Sequence, residues 1–232
     1  MVERVVGGLK LKMKFKKLLF IFLIFLLFIT LSCEKSSQTS KDNLLKVKIE
    51  KAIDGDTVIL EDGEKLRYAG IDTTELYTQE GLPQPFAKEA YNLNKALTEG
   101  KTLYLELSLR KRDKYGRLLG ELYFENGTSV SEILVREGLA FVCYYEGSAK
   151  YYEKYLPLQR EAIKKRKGIF SLLEHEPKNV IYIGNKNSKR FHHPNCPEAK
   201  KIKRKVYFKS LESALLEGYC PSRECFNLIF SF

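Results

Sequence analysis

The segment Ile53–Glu75, with the sequence IDGDTVILEDGEKLRYAGIDTTE, decides the fold and holds most of the residues expected to carry chemistry. Two acidic turns, Asp54–Thr57 and Asp72–Glu75, flank two strand-like runs that the turn Asp62-Gly63 connects. If these runs pair as a hairpin, both acidic turns come to the same end of it. The segment therefore predicts carboxylates gathered at one end of a β-hairpin.

Carboxylates gathered in this way repel one another unless a cation lies among them. A hard divalent ion with oxygen ligands, calcium above all, is the natural occupant of such a site. Arg67 lies five residues before Asp72, and the fixed fork of guanidinium donors suits a phosphate oxygen. Because Asp-Gly pairs are ordinary turn formers, the acidic residues alone fit solvated turns equally well. Carboxylates and an arginine together indicate phosphodiester hydrolysis.

The composition fits a globular protein with a polyanionic partner. The chain has 232 residues, of which 44% are hydrophobic, enough for one or two domains with an apolar core. The formal net charge is +11, but residues 1–32 hold six basic residues and one acidic residue, which leaves +6 for the remainder. A moderately basic body favours nucleic acid, although anionic lipid headgroups would attract the same charge.

Residues 1–33 are typical of an export segment with a signal helix. Lysines precede the apolar run Leu18–Leu31, which is short for a membrane span and fits the apolar part of a signal peptide. The stretch Thr30-Leu31-Ser32-Cys33 resembles the end of a bacterial lipoprotein signal, which predicts lipidation of Cys33. An ordinary cleaved signal and an uncleaved anchor are the alternatives. The polar residues 34–44 predict a flexible tether. We expect an exported protein, either secreted or anchored to a membrane through its N-terminus.

The hydrophobic pattern of residues 45–173 predicts an α+β, mainly β domain. Alternating apolar residues predict five strands, over Leu45–Glu50, Thr57–Leu60, Leu66–Ile71, Thr102–Leu109 and Leu118–Phe124. Apolar residues at helical spacing, followed by glycine, predict three helices, over Phe86–Thr98, Ser129–Glu137 and Tyr151–Lys167. Such a set of elements suits a five-stranded Greek-key barrel of the OB kind.

Four motifs in this order resemble the thermonuclease family, that is, staphylococcal nuclease and its relatives. They are AIDGDT, LRYAGIDTTE, RDKYGR and LVREGLA, and the likeness covers about residues 47–170. The resemblance implies an OB-fold barrel with three helices and a calcium-dependent endonuclease. Such an enzyme cuts DNA and RNA and leaves 3′-phosphate ends. The chain departs from the family pattern at Thr74, where proline is usual, and at Glu146, where a second tyrosine of the nucleotide pocket falls.

The resemblance implies a metal-binding or catalytic role for five residues of the acidic turns. Asp56 and Asp72 would be the calcium carboxylates, and Thr73 would add its backbone carbonyl oxygen. Asp54 would support the ion through water or charge. Glu75 would be the catalytic carboxylate, which orients or deprotonates the attacking water.

The resemblance also implies a set of residues that bind the nucleic acid. Arg67 and Arg117 would hold the scissile phosphate. Lys114 and Tyr115 would hold the neighbouring 3′ phosphate, and Tyr144 would lie against the nucleotide.

A catalytically inactive OB-fold protein that only binds nucleic acid, like the Tudor-type relatives, is the alternative with the same fold. Inactive copies usually lose members of the catalytic set. This chain retains all five, namely Asp56, Arg67, Asp72, Glu75 and Arg117. The sequence therefore favours an enzyme with DNA and RNA as substrates, and we expect a monomer.

Residues 178–232 predict a second, small α+β module. Two of its stretches, IGNKNSKRFHHPNCPEAKKI and VYFKS, resemble the small metal-binding module of the Ada DNA-repair protein, which is appended to some exported thermonucleases. A segment of this size has little core, so a zinc ion or disulfides are expected to hold it together.

The cysteines of this module leave two alternatives open. His192, Cys196 and Cys225 suit zinc, with Cys220 as the candidate fourth ligand. An exported protein meets an oxidising compartment, so disulfides among the four cysteines Cys143, Cys196, Cys220 and Cys225 are an equal alternative.

Overall fold

The computed structural model of the chain describes residues 44–78 and 81–231. The predicted export segment 1–33, with its lipidation site Cys33, lies outside the described residues, as does the predicted tether 34–44 except for Leu44. Within the described residues, no helix has both the length and the hydropathy that a membrane span requires.

The first half of the described chain forms a closed barrel with a short pair of strands beside it. Its strands are β1 (Leu45–Ala52), β2 (Thr57–Leu60), β3 (Lys65–Tyr68), β4 (Ile71–Asp72), β5 (Thr102–Arg112), β6 (Leu118–Tyr123) and β7 (Phe141–Val142). The barrel order is β1-β2-β3-β6-β5, and β4 pairs with β7. All barrel neighbours with a described register are antiparallel except β3 and β6, which are parallel. The predicted five-stranded OB-fold barrel is confirmed.

Three helices accompany the barrel at the predicted positions, namely α1 (Ala87–Thr98), α2 (Val130–Arg136) and α3 (Ala149–Lys164). Ser129 begins α2 as its N-cap, because its hydroxyl accepts a hydrogen bond from the backbone N–H of Glu132. Strand β5 is longer than the predicted strand Thr102–Leu109. Strand β5 continues to Arg112, which pairs with Leu118 across the hairpin.

Glu121, on β6, is a buried acid that ties α2 and α3 to the barrel. Its Oε1 accepts hydrogen bonds from the backbone N–H groups of Leu122 and Ser131. Its Oε2 is bonded to the hydroxyl of Tyr155 at 2.8 Å, which in turn contacts Ser129 Oγ. Burial raises the pKa of Glu121 to about 7, because the loss of water outweighs these hydrogen bonds.

Replacing Glu121 with glutamine should stabilise the protein above neutral pH. The folded-state pKa lies above the ordinary value of 4.5, so this group's contribution to stability is full below about pH 4.5 and is lost as the pH rises through about 7. The difference between the two pKa values corresponds to about 3 kcal/mol. In urea unfolding, we expect Glu121→Gln to be more stable than the wild type by about 1–3 kcal/mol at alkaline pH.

The stabilisation by Glu121→Gln should shrink towards pH 5, where the wild-type carboxyl is protonated in the folded state. The control is Glu125→Gln, which changes an exposed carboxylate and should leave stability within about 0.5 kcal/mol at every pH. A gain of equal size at acidic and alkaline pH would contradict the assignment.

The C-terminal part contains a four-stranded sheet and three short helices. Its strands are β8 (Tyr182–Asn185), β9 (Arg190–His192), β10 (Lys205–Phe208) and β11 (Cys220–Pro221), in the sheet order β10-β8-β9-β11. Its helices are α4 (Pro197–Lys200), α5 (Leu211–Leu216) and α6 (Phe226–Ile229), and 3₁₀ helices span Gly168–His175 and Arg223–Cys225.

The module shares its apolar core with the end of the preceding domain. Phe141, Ile163 and Phe170 belong to the same buried cluster as Phe226 and Ile229 of the module. The described residues, 44–78 and 81–231, accordingly belong to one compact unit. The side chain of Gln159, on α3, strengthens this junction by donating a hydrogen bond to the carbonyl of Leu215 at 2.9 Å.

The four cysteines of this unit form two disulfides. Cys196 is bonded to Cys225 within the module, and Cys220 is bonded to Cys143, which follows β7. The predicted zinc site of His192, Cys196, Cys220 and Cys225 is therefore not supported, because all three of its cysteines are in disulfides and Cys220 is paired with a residue outside the set. His192 lies beside the first disulfide, with its Nδ1 3.3 Å from Cys225 Sγ. Of the two alternatives, the structure shows the disulfides.

Candidate active site

The two acidic turns lie against each other at one end of the barrel. The backbone N–H of Thr73 in the second turn donates a hydrogen bond to Asp56 Oδ2 in the first, at 2.9 Å. Gly55 permits this approach, because a Cβ atom there would lie 2.6 Å from Thr73 Oγ1. The pairing of β2 with β3 places Arg67 opposite Thr57, directly beside these turns.

Arg67 is a buried cation between two buried carboxylates. Its Nη1 is bonded to Asp56 Oδ1, and its Nη2 donates to Asp72 Oδ1 at 2.6 Å. Burial opposes the charge on Arg67, but the carboxylates of Asp56 and Asp72 outweigh it and raise the pKa of Arg67 well above its ordinary value. The guanidinium thus holds the two predicted calcium carboxylates on either side of itself.

Asp54 and Glu75 complete the acidic set. Asp54 Oδ1 accepts a hydrogen bond from the backbone N–H of Asp56 at 3.0 Å. Burial raises the pKa of Asp54 to about 7, and the neighbouring charge of Asp56 adds to this effect. Burial also raises the pKa of Glu75, although nearby Arg223 opposes the change. Burial is the main cause of both shifts, so the raised pKa values reflect the loss of water around these two carboxyl groups.

The donor set of this end fits a hard divalent cation such as calcium. All the side-chain donors are oxygens, which is the ligand type that calcium prefers. Thr74 Oγ1, in the second turn, is buried without a hydrogen-bond partner in the described part of the chain. Among the described residues, no three of the four carboxylates bring oxygens within 4.8 Å of one another. Guanidinium groups lie between them.

A cavity of about 380 Å³ opens beside Arg67. The other three residues predicted to bind phosphates, Lys114, Tyr115 and Arg117, line the same cavity. Asp113 holds Arg117 in place by accepting a hydrogen bond from its Nε at 2.8 Å. The Lys114 ammonium lies 4.9 Å from the centre of the Tyr115 ring. The structure therefore gathers four predicted phosphate-binding side chains around one space.

Tyr144, the predicted nucleotide contact, does not line this cavity in the described structure. Its ring packs edge-on against Tyr152 and is 37% exposed. The next residue, Tyr145, lines the cavity instead, together with Glu146. The two residues that follow the predicted contact therefore line the cavity, and Tyr144 itself does not.

Two arginines of the C-terminal module also line the cavity, and sequence reasoning missed both. Arg190 Nη1 lies 3.1 Å from Asp72 Oδ2, and Arg223 Nη1 lies 3.1 Å from Glu75 Oε1. Arg190 lies in the stretch IGNKNSKRFHHPNCPEAKKI and Arg223 lies between Cys220 and Cys225, but the predictions for these stretches concerned only cysteines and a histidine. The signal that could have indicated this contact is the distribution of cysteines. Residues 45–173 contain one cysteine and residues 178–232 contain three, so one disulfide between the two parts pairs all four.

The comparisons with known proteins agree with this geometry. Residues 65–172 match the family model described as Staphylococcal nuclease homologue. Endonuclease YncB of Bacillus subtilis (strain 168) is 38% identical over 137 residues, which are 57% of this chain and 64% of YncB. The SPbeta prophage-derived endonuclease YokF of the same strain is 38% identical over 133 residues, or 55% of this chain and 45% of YokF.

The chain thus spans less than two thirds of the length of these two relatives. It covers more of the thermonuclease of Staphylococcus hyicus, with 34% identity over 140 residues, which are 59% of this chain and 82% of that protein. Because the likeness extends over so much of a thermonuclease and the barrel is closed in the expected order, the chain belongs to the staphylococcal nuclease homologue family.

Proposed function

We propose that the protein is a calcium-dependent endonuclease that hydrolyses phosphodiester bonds of DNA and RNA. One observation carries this proposal. Arg67 lies between Asp56 and Asp72, and it faces the same cavity as Arg117. Relatives that bear the names endonuclease and thermonuclease support the same activity.

The residues around the cavity suit attack of water on an anionic phosphate. Asp56 and Asp72 would hold the calcium ion, which neutralises charge and lowers the pKa of a bound water. Arg67 and Arg117 would donate hydrogen bonds to the phosphate oxygens, where negative charge increases in the five-coordinate transition state. Glu75 would orient the attacking water or accept its proton.

The remaining cavity residues suit the flanking nucleotides. Lys114 and Tyr115 would hold the neighbouring 3′ phosphate, and Tyr145, in place of Tyr144, would lie against the nucleotide. Contacts with phosphates carry no sequence information, which supports cleavage with little sequence preference. On the family likeness, we propose that the products carry 3′-phosphate ends.

We also propose that the protein is exported and acts as a monomer, secreted or anchored through Cys33. The apolar run Leu18–Leu31 supports export. The disulfides Cys143–Cys220 and Cys196–Cys225 support it as well, because disulfides persist mainly in oxidising compartments.

Incubation of the purified protein with plasmid DNA and with single-stranded RNA tests the activity. We expect both substrates to be degraded with calcium and to stay intact with a chelator. Cleavage that persists in the chelator would contradict the calcium mechanism. Intact substrates under both conditions, with binding in a gel-shift measurement, would support the binding-only alternative.

Glu75→Gln tests the catalytic carboxylate. We expect substrate binding to be retained and the cleavage rate to fall by about 10²-fold or more, as is typical when a positioned acid–base group is lost. Glu146→Gln is the matched control, because Glu146 lines the same cavity with a 91% exposed carboxylate and should cut at nearly the wild-type rate. An unchanged rate for Glu75→Gln would refute the role of Glu75.

A further inference from the structure

Arg223 reaches from the C-terminal module into the acidic site of the barrel. Its Nε lies 3.1 Å from Asp72 Oδ2, and its Nη2 is bonded to Asp72 Oδ1. Its Nη1 lies 3.1 Å from Glu75 Oε1. All three guanidinium nitrogens therefore face the two carboxylates that the proposed function assigns to the cation and to the attacking water.

Each carboxylate oxygen of Asp72 accepts two hydrogen bonds from guanidinium groups. Oδ1 accepts from Arg67 Nη2 and Arg223 Nη2, while Oδ2 accepts from Arg190 Nη1 and Arg223 Nε. A carboxylate has about four lone-pair sites, so these four bonds use its accepting capacity. A cation that binds Asp72 must take the place of one of these donors.

Arg223 is the donor that is easiest to displace. The side chains of Arg67 and Arg190 are only 7% and 17% exposed. Both also have other partners, since Arg67 binds Asp56 and Arg190 donates to the hydroxyl of Tyr145 at 2.5 Å. Arg223 is 47% exposed and lies on a 3₁₀ helix of three residues. Its side chain also lines the open cavity, which offers it a place to move into.

We propose that Arg223 is a residue of the cation site, where it competes with a divalent cation for Asp72 and Glu75 and so sets the cation affinity. Binding of the cation displaces the guanidinium towards the cavity and releases Glu75 to act on water. The proposal rests on the proposed function for the assignment of the cation to Asp72. It gives the C-terminal module a direct part in the site of the barrel.

Calorimetric titration of the purified full-length protein with calcium tests this proposal without reference to cleavage. We expect Arg223→Gln to bind calcium at least tenfold more tightly than the wild type, which corresponds to about 1.4 kcal/mol. Arg223→Lys should fall between the two, because a lysine keeps the charge but lacks the fork that spans both carboxylates.

Arg110→Gln is the matched control for charge alone. Arg110 lines the same cavity, and its side chain contacts Glu146 and the carbonyl of Arg112 rather than the acidic turns. Its removal should change the calcium affinity by less than about twofold. An equal gain in Arg110→Gln and Arg223→Gln would overturn the proposal, since long-range charge would then explain both. A calcium affinity of Arg223→Gln equal to or weaker than that of the wild type would overturn it as well.

Asp72→Asn separates the failure of this inference from failure of the proposed function. If Asp72→Asn removes calcium binding while Arg223→Gln leaves it unchanged, the calcium site stands and the role of Arg223 is refuted. If calcium does not bind, or if Asp72→Asn binds it as well as the wild type does, the proposed calcium site is wrong and the role of Arg223 fails with it. A greater rise of Tm with calcium in Arg223→Gln than in the wild type is expected as a second readout.

Discussion

Arg67→Gln should remove most of the nuclease activity and also destabilise the barrel. The loss of one donor to the transition state typically costs about 10²–10³-fold in rate. In addition, the substitution leaves the buried carboxylate of Asp56 without its guanidinium partner. Breaking a buried ion pair by removing one partner costs about 3–5 kcal/mol. The buried charge of Asp72 should contribute less to this destabilisation, because Arg190 and Arg223 still pair with it.

Two measurements separate the effects of Arg67→Gln. Cleavage of plasmid DNA under conditions where the variant is folded reports the rate, and urea unfolding reports the stability. Arg67→Lys should recover little of the activity, because an ammonium group cannot bridge Asp56 and Asp72 as the fork does. The control is Arg112→Gln, which removes an exposed arginine of the same barrel that pairs with Glu64 and should cost at most about 1 kcal/mol. Full activity in Arg67→Gln would exclude its role in phosphate binding.

Removal of the Cys143–Cys220 disulfide should cause a large loss of stability. The bond closes a loop with a sequence separation of 77 residues, for which loop-closure entropy gives about 4.5 kcal/mol. The double variant Cys143→Ala, Cys220→Ala should therefore unfold at a much lower urea concentration than the wild type. Cys196→Ala with Cys225→Ala is the comparison, since that disulfide spans 29 residues and should contribute about 3.6 kcal/mol.

The disulfide also has a local effect at the site. Arg190 Nη1 lies 3.0 Å from Cys220 Sγ and donates to the carbonyl of Pro221 at 2.9 Å. Loss of the bond to Cys143 should therefore loosen Arg190 and weaken its contact with Asp72. If the Cys143→Ala, Cys220→Ala variant is as stable as the wild type, the cross-link contributes nothing and this account is wrong. Equal losses of unfolding free energy in the two double variants would contradict the dependence on loop length.

The barrel could be predicted from the sequence because its signals are local. The alternation in β1 and β5, the turn at Asp62-Gly63 and the glycine after α1 each act within a few residues, and the structure places these elements within a few positions of the prediction. The gathering of four predicted phosphate-binding residues around one cavity likewise follows from two motifs, one on β3 (Arg67) and one in the turn between β5 and β6 (Lys114, Tyr115 and Arg117).

The contribution of the C-terminal module could not be predicted, because it depends on contacts between residues distant in the sequence. Asp72 and Arg223 are separated by 151 positions, and no local pattern relates them. The sequence could not decide between zinc and disulfides for the same reason. It depends on Cys143 lying beside Cys220, which is a property of how the module packs and not of the spacing within it.

The apolar core that joins the two parts constrains when this protein can fold. Phe226 and Ile229, among the last described residues, lie in the same buried cluster as Phe141. During synthesis, the barrel emerges first, but the surface around Phe141 remains uncovered until these late residues arrive. The shared core can therefore be completed only after Phe226 and Ile229 have been synthesised, long after the strands of the barrel.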